Sequence, residues 1–102
     1  MLKVFSLIKR REDLSLDEFR RWILEEHAPK GRELPGLREY RVSVVDTDDP
    51  SLPYHAVTEL YFDDEDAFTA AFASDAGKAA GADVAAHAAD RVRLLTSEAR
   101  VI

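Results

Sequence analysis

His27, His55 and His87 are the side chains best suited to take up and release a proton near neutral pH. His27 closes the run Trp22-Ile23-Leu24-Glu25-Glu26-His27 just before Pro29. At the C-terminus of a helix it would be favoured as imidazolium, and it serves either proton transfer or capping of the last carbonyls. His55 opens the run His55–Phe62, where it either meets a ligand or is inert. Glu59 stands in the middle of that apolar run, and burial there would raise its carboxyl. A structural ion pair with Arg41 or Arg93 is the first reading of Glu59, and general acid or base the second. Tyr40 and Tyr61 either donate phenolic hydrogen bonds to a carbonyl or enolate oxygen or pack as amphipathic strand residues. His55 and Glu59 are four residues apart on a strand, about 13 Å, too far to share one metal ion. His87, flanked by alanines, reads as solvent-facing near a helix end and is assigned no chemistry.

Composition removes other chemistries. The 102 residues carry 14 Lys plus Arg against 20 Asp plus Glu, net −6, which disfavours phosphate backbones and anionic lipid as partners. The chain has no cysteine, hence no disulfide, thiolate nucleophile or Cys-ligated metal. The four glycines are too dispersed for a phosphate-cradling loop, and HAVTELYF lacks the basic aromatic character of an RNA-stacking strand. Neither a spanning run nor the order of a signal peptide is found from Met1 to Arg11, so a soluble cytoplasmic protein without nucleic-acid or membrane partners is expected.

These side chains need elements to hold them. Leu2 to Ile8 reads as a strand. Ser15 and Glu18 form a capping box, and Phe19, Trp22, Ile23, Glu26 and His27 place one stripe toward a core until Pro29 ends the helix. Pro35-Gly36 signals a turn before a strand from Leu37 to Val45, and a polar loop from Asp46 to Pro53 leads to the strand His55–Phe62. Asp63 to Asp66 caps a helical region in which 12 of the 15 alanines fall between Ala67 and Ala89, with Gly77 and Gly81 as its weak points. Arg91 to Val101 alternates as a last strand. The order β-α-β-β-α-β predicts one α+β, ferredoxin-like domain over residues 1–102, a four-stranded antiparallel sheet with both helices on one face.

The two central strands of that topology are apolar on both faces: Leu2, Val4 and Ile8 against Phe5 and Leu7, and Ala56, Leu60 and Phe62 against His55, Val57, Glu59 and Tyr61. An antiparallel sheet with one wet face alternates more cleanly. The economical cover is a second copy of the chain, a homodimer through the sheet face, with Glu59, Tyr61 and His55 lining a cavity toward the partner. The competing reading is a face tolerated in water.

The segments LKVFSLIKR, LSLDEFRRWILEEHAPKGRELPGLREY, AVTELYFDDEDAF and RVRLLTSEARVI together resemble the EthD family of the dimeric α+β barrel superfamily. The resemblance implies a ferredoxin-like subunit that pairs into a barrel. It also implies a site histidine at His27, a second one at His55 as in some relatives, and Tyr40 nearby. The superfamily includes isomerases, cyclases, dehydratases and monooxygenases, and EthD members are often labelled reductases, yet no nicotinamide fingerprint is present.

The leading expectation is a cofactor-independent enzyme acting by proton transfer on a hydrophobic carbonyl compound, such as a lactone or an aromatic polyketide-like molecule. His27 or His55 would move the proton, Tyr40 and Tyr61 would polarise the carbonyl, Glu59 would set neighbouring charge, and Trp22 would wall the pocket. The alternatives are a non-catalytic ligand-binding or accessory dimer, and an EthD-type oxidoreductase or haem-dependent monooxygenase with a histidine as axial ligand.

Overall fold

The computed structural model describes residues 1–102. Four strands, β1 (Leu2–Arg10), β2 (Glu39–Val44), β3 (Ala56–Phe62) and β4 (Ala88–Ser97), form one antiparallel sheet in the order β2-β3-β1-β4. The α+β ferredoxin-like arrangement expected from the sequence is the one observed, with β1 and β3 central. Registers Ile8↔Ala56 and Val4↔Leu60 align the apolar positions of the two strands on one face. That face, Val4, Ser6, Ile8, Ala56, Thr58, Leu60 and Phe62, is buried beneath the helices.

The first helical arm has three parts: α1 (Leu16–Arg21), a π-helical segment (Trp22–His27) and α2 (Ala28–Gly31). Ser15 starts it with the predicted capping box, its Oγ accepting from the Glu18 N–H while its own N–H donates to Glu18 Oε1. The π segment alters the expected stripe. In an α-helix, residues five apart diverge by about 140° around the axis, but the wider π turn, closed by the Ala28 N–H bonding to the Ile23 carbonyl, returns His27 to the Trp22 face. Trp22, Ile23 and His27 are therefore buried while Glu26, placed in the stripe by α-helical spacing, is exposed. Nor does Pro29 end the arm; it sits in the first turn of α2, where a missing N–H costs little, and the helix runs on to Gly31.

The alanine-rich region is two helices, α3 (Glu65–Ala73) and α4 (Asp75–His87). The break falls at Ser74, not at Gly77 or Gly81. Ser74 is extended, and its Oγ accepts from the Gly77 N–H to cap α4. Gly77 lies inside α4 as a close-approach residue, where a Cβ would come within 2.3 Å of the Ala71 carbonyl oxygen.

Phe19, Ile23 and Trp22 pack with Ile8, Ala56 and Val84 in one buried cluster; Phe62, Val4, Leu60, Leu34 and Ala71 form another. Full burial of each large apolar side chain stabilises the fold by about 1.5–3 kcal/mol. The opposite sheet face carries Phe5, Leu7, Val57, Tyr61, Val92 and Leu94, with Leu94 48% exposed. Lys3 spans this surface, bridging Glu59 and Glu98 at 2.8 Å each and lying 4.9 Å and 5.3 Å from the Phe5 and Tyr61 ring centres. No helix is long and apolar enough to cross a membrane.

Candidate functional site

Within one subunit a set of polar side chains converges on the helix side of the sheet, between β1, β3, β4 and the helices, whereas the cavity expected toward a partner copy concerns the opposite face. A cavity there is lined by the polar groups of His27, Tyr40, Ser6, Thr58, Arg91 and Arg93 and by apolar residues including Leu60, Phe72 and Val84. Its free space is about 30 Å³, room for a few waters. An open groove of about 300 Å³ at the α4–β4 junction shares Val84 and Arg91 with it.

The π turn delivers His27 to this cavity. Its Nδ1 is 2.9 Å from Asp83 Oδ2, and both side chains are under a tenth exposed. An ionised carboxylate only accepts, so Nδ1 carries the proton and donates. Nε2 takes no part in any hydrogen bond within the chain. Burial pushes His27 below the ordinary histidine value, more than the Asp83 bond raises it. At neutral pH the ring is thus uncharged with a free Nε2 lone pair, the state a general base requires.

Asp83 holds more than His27. Lys30 Nζ is 3.4 Å from its Oδ1 and His87 Nδ1 is 3.2 Å from the same oxygen, while His87 Nδ1 also donates to the Asp83 carbonyl. Burial works to raise the Asp83 carboxyl. The His27 bond, the neighbouring Trp22 indole N–H, which finds no well-formed hydrogen bond, and the Lys30 charge outweigh it and hold Asp83 below the usual carboxylate range. The Trp22 ring is stacked on His87 and tilted against His27, with centroids at 4.9 Å and 5.1 Å.

Tyr40 extends from β2 with its ring against Gly31, where a Cβ would sit 2.7 Å from the ring. Burial pushes its hydroxyl up to about 12, so it remains a donor at neutral pH. Arg91 and Arg93 enter from β4, opposite Ile8 and Ser6. The Arg93 guanidinium lies 4.3 Å from the Phe72 ring centre, and its Nε is buried without a hydrogen-bond partner.

Of the residues singled out in the sequence, the structure brings His27 and Tyr40 to the cavity and puts Trp22 directly behind His27. It sets the others apart. His55 is 1% exposed at the start of β3, packed edge-on to Phe19; its Nδ1 accepts from the Arg10 N–H and its Nε2 donates to the Asp49 carbonyl, so neither nitrogen is free. Glu59 and Tyr61 lie on the opposite sheet face, and Glu59 pairs with Lys3, not with Arg41 or Arg93. Asp83 and Arg91 went unnoticed, Arg93 was considered only as a partner for Glu59, and His87, read as solvent-facing and without chemistry, is instead half-buried against Trp22 and bonded to Asp83. Asp83 and His87 are an acid and a base at i, i+4 in an alanine helix, and Arg91 and Arg93 alternate onto one face; those were the available signals.

A four-stranded antiparallel sheet in the order β2-β3-β1-β4, covered on one face by helices, defines a ferredoxin-like α+β protein. The EthD domain matches residues 11–91, and the chain belongs to the EthD family. It is similar to an ethyl tert-butyl ether D (EthD) family protein from Bacillus halodurans C-125, 28% identical over 97% of this chain and 99% of that one, with a TM-score of 0.83. It also shares its fold with a dimeric ferredoxin-like protein of unknown function from Thermobifida fusca YX (20% identity, 95% and 90% covered, TM-score 0.76). SnoaB, a cofactor-independent oxygenase from Streptomyces nogalater, has the fold as well (16%, 99% and 95%, TM-score 0.73). No curated protein matches the chain in sequence.

Proposed function

We propose that the chain is a homodimeric enzyme that moves a proton on a small hydrophobic carbonyl compound, of lactone or aromatic polyketide-like type, without a bound cofactor. The observation that carries this reading is His27, held by Asp83 with Nε2 free in a cavity that also presents the Tyr40 hydroxyl. His27 Nε2 takes a proton from the carbon next to the carbonyl, the C–H electron pair passes into an enolate, and Tyr40 donates a hydrogen bond to the enolate oxygen. Asp83 stabilises the imidazolium formed, which returns the proton to the same or a conjugated carbon. The likeness to a cofactor-independent oxygenase is in keeping with such chemistry. Pairing through the face that carries Phe5, Leu7 and Leu94 accords with the dimeric Thermobifida protein.

The test is exchange in D2O. A panel of lactones and aromatic ketones is followed by NMR, and a substrate found in this way should lose about 10²–10⁴-fold in rate with His27→Ala. An unchanged rate in that variant would end the proposal. A second reading, a non-catalytic accessory dimer whose polar residues are structural, is favoured by the cavity's free space of about 30 Å³, which admits a small molecule only if the helices part. No thermal stabilisation by any panel member, together with no exchange in D2O, would select it. His55, with both ring nitrogens engaged, does not suit the role of a haem ligand.

A further inference from the structure

Half-buried and buried cations in this protein are paired. Lys3 has Glu59 and Glu98, Arg10 has Asp48, Arg11 has Asp13 and Arg20 has Asp17, while Lys9 donates to the Pro50 and Leu52 carbonyls. Arg91 and Arg93 break the pattern. Both are half-buried, neither guanidinium reaches a carboxylate or a carbonyl, and they stand two residues apart on one face of β4. An acidic chain of net −6 has carboxylates to spare, yet it sets two like charges side by side in a cavity that offers them none. The Arg93 Nε is wholly buried with no acceptor, and a polar group left unpaired in this way costs stability.

The aromatic packing of Arg93 fixes where it points. Its guanidinium is laid on Phe72, 4.3 Å from the ring centre, with Phe68 at 5.6 Å. These rings offer the guanidinium no hydrogen-bond acceptor, so its N–H groups remain for one, and a carboxylate or another delocalised oxyanion fits that fork. Asp83, the acid close to the cavity, is already held by His27, Lys30 and His87.

From this we infer that the site takes an anionic ligand, a small organic carboxylate or an acidic enol, whose charge is held by Arg91 and Arg93 and whose reacting carbon is thereby set against His27. This deepens the proton-transfer reading and rests on it for the role of His27, whereas the charge preference stands on the arginines. Arg91 also lines the outer groove, with Asp90 beside it.

Benzoate and its neutral counterpart benzamide are the probes, read by thermal shift and by chemical-shift mapping on the whole protein. Benzoate should stabilise the wild type in a concentration-dependent way and perturb resonances of β4, benzamide should do neither within the same range, and raised salt should weaken the effect. Arg93→Met should lower benzoate affinity at least about tenfold. Arg93→Lys, which keeps the charge, should recover part of the loss while both variants keep the wild-type circular dichroism spectrum. Exchange chemistry is read in His27→Ala and benzoate affinity in the arginine variants, so failure of the proton-transfer reading and failure of the anion site are distinguished. Equal binding of benzamide and benzoate, no binding of either, or benzoate binding unaffected in Arg93→Met and in Arg91→Met would overturn the inference.

Discussion

At the scale of single residues, His27 illustrates how far type and spacing carry. Its position before Pro29 marked it as a candidate, but its charge was misjudged: a helix terminus favours imidazolium, while burial between Trp22 and the sheet favours the neutral ring, and burial prevails. Its folded pKa therefore lies below the unfolded value of about 6.5. Between the two values the unfolded chain binds more protons, so this contribution to stability is complete above about pH 6.5 and is lost as the pH falls through that window. Urea unfolding at a series of pH values should show this decline in the wild type and a flatter profile in His27→Gln. A wild-type curve that rises toward acid would contradict the assignment. Glu59 and Tyr61 show the opposite limit. Alternation along β3 told which residues share a face, but both faces of the strand are apolar enough to claim the core, so the side bearing the cavity was not legible. For His55 the obstacle was contact at a distance, since its partners Arg10 and Asp49 come from other segments.

At the scale of elements, the strands and their pairing were legible because period-two patterns and turn residues act locally, whereas the internal geometry of the helices was not. The π segment has no composition of its own; it exists because Trp22 and His27 both need the core while the intervening Leu24, Glu25 and Glu26 do not. Four residues span about one turn of an α-helix much as five span the π turn. Deleting Glu25 should consequently regularise the arm and retain the Trp22–His27 contact, with the folded circular dichroism signature preserved; loss of folding would show that the wider turn serves something else. In the alanine-rich region the two glycines are not equivalent. Gly77→Ala drives a methyl group against the Ala71 carbonyl and the Phe72 backbone, which cannot yield as a side-chain end could, and should destabilise the protein by at least about 1–3 kcal/mol. Gly81→Ala meets nothing within 4 Å and should stabilise it by about 0.5–1 kcal/mol. Chemical denaturation of the two variants checks both, and equal effects would refute the packing account.

At the scale of the whole molecule, one subunit buries one side of its sheet and leaves the other to Phe5, Leu7, Val57 and Leu94, with Lys3 and Glu59 as the charged pair among them. If a second copy covers that surface, Leu94→Glu should convert a dimer into a monomer in light scattering without disturbing the fold of the subunit; a wild type that stays monomeric as concentration rises would refute the pairing. The chain has one tryptophan, and the fold sets its indole against two imidazoles. A protonated imidazole quenches indole fluorescence. The molecule thus contains its own optical indicator: without any label, its emission should dim as acid is added and recover on neutralisation, and the part of that change lost in His27→Gln reports when the ring beside the cavity gains its charge.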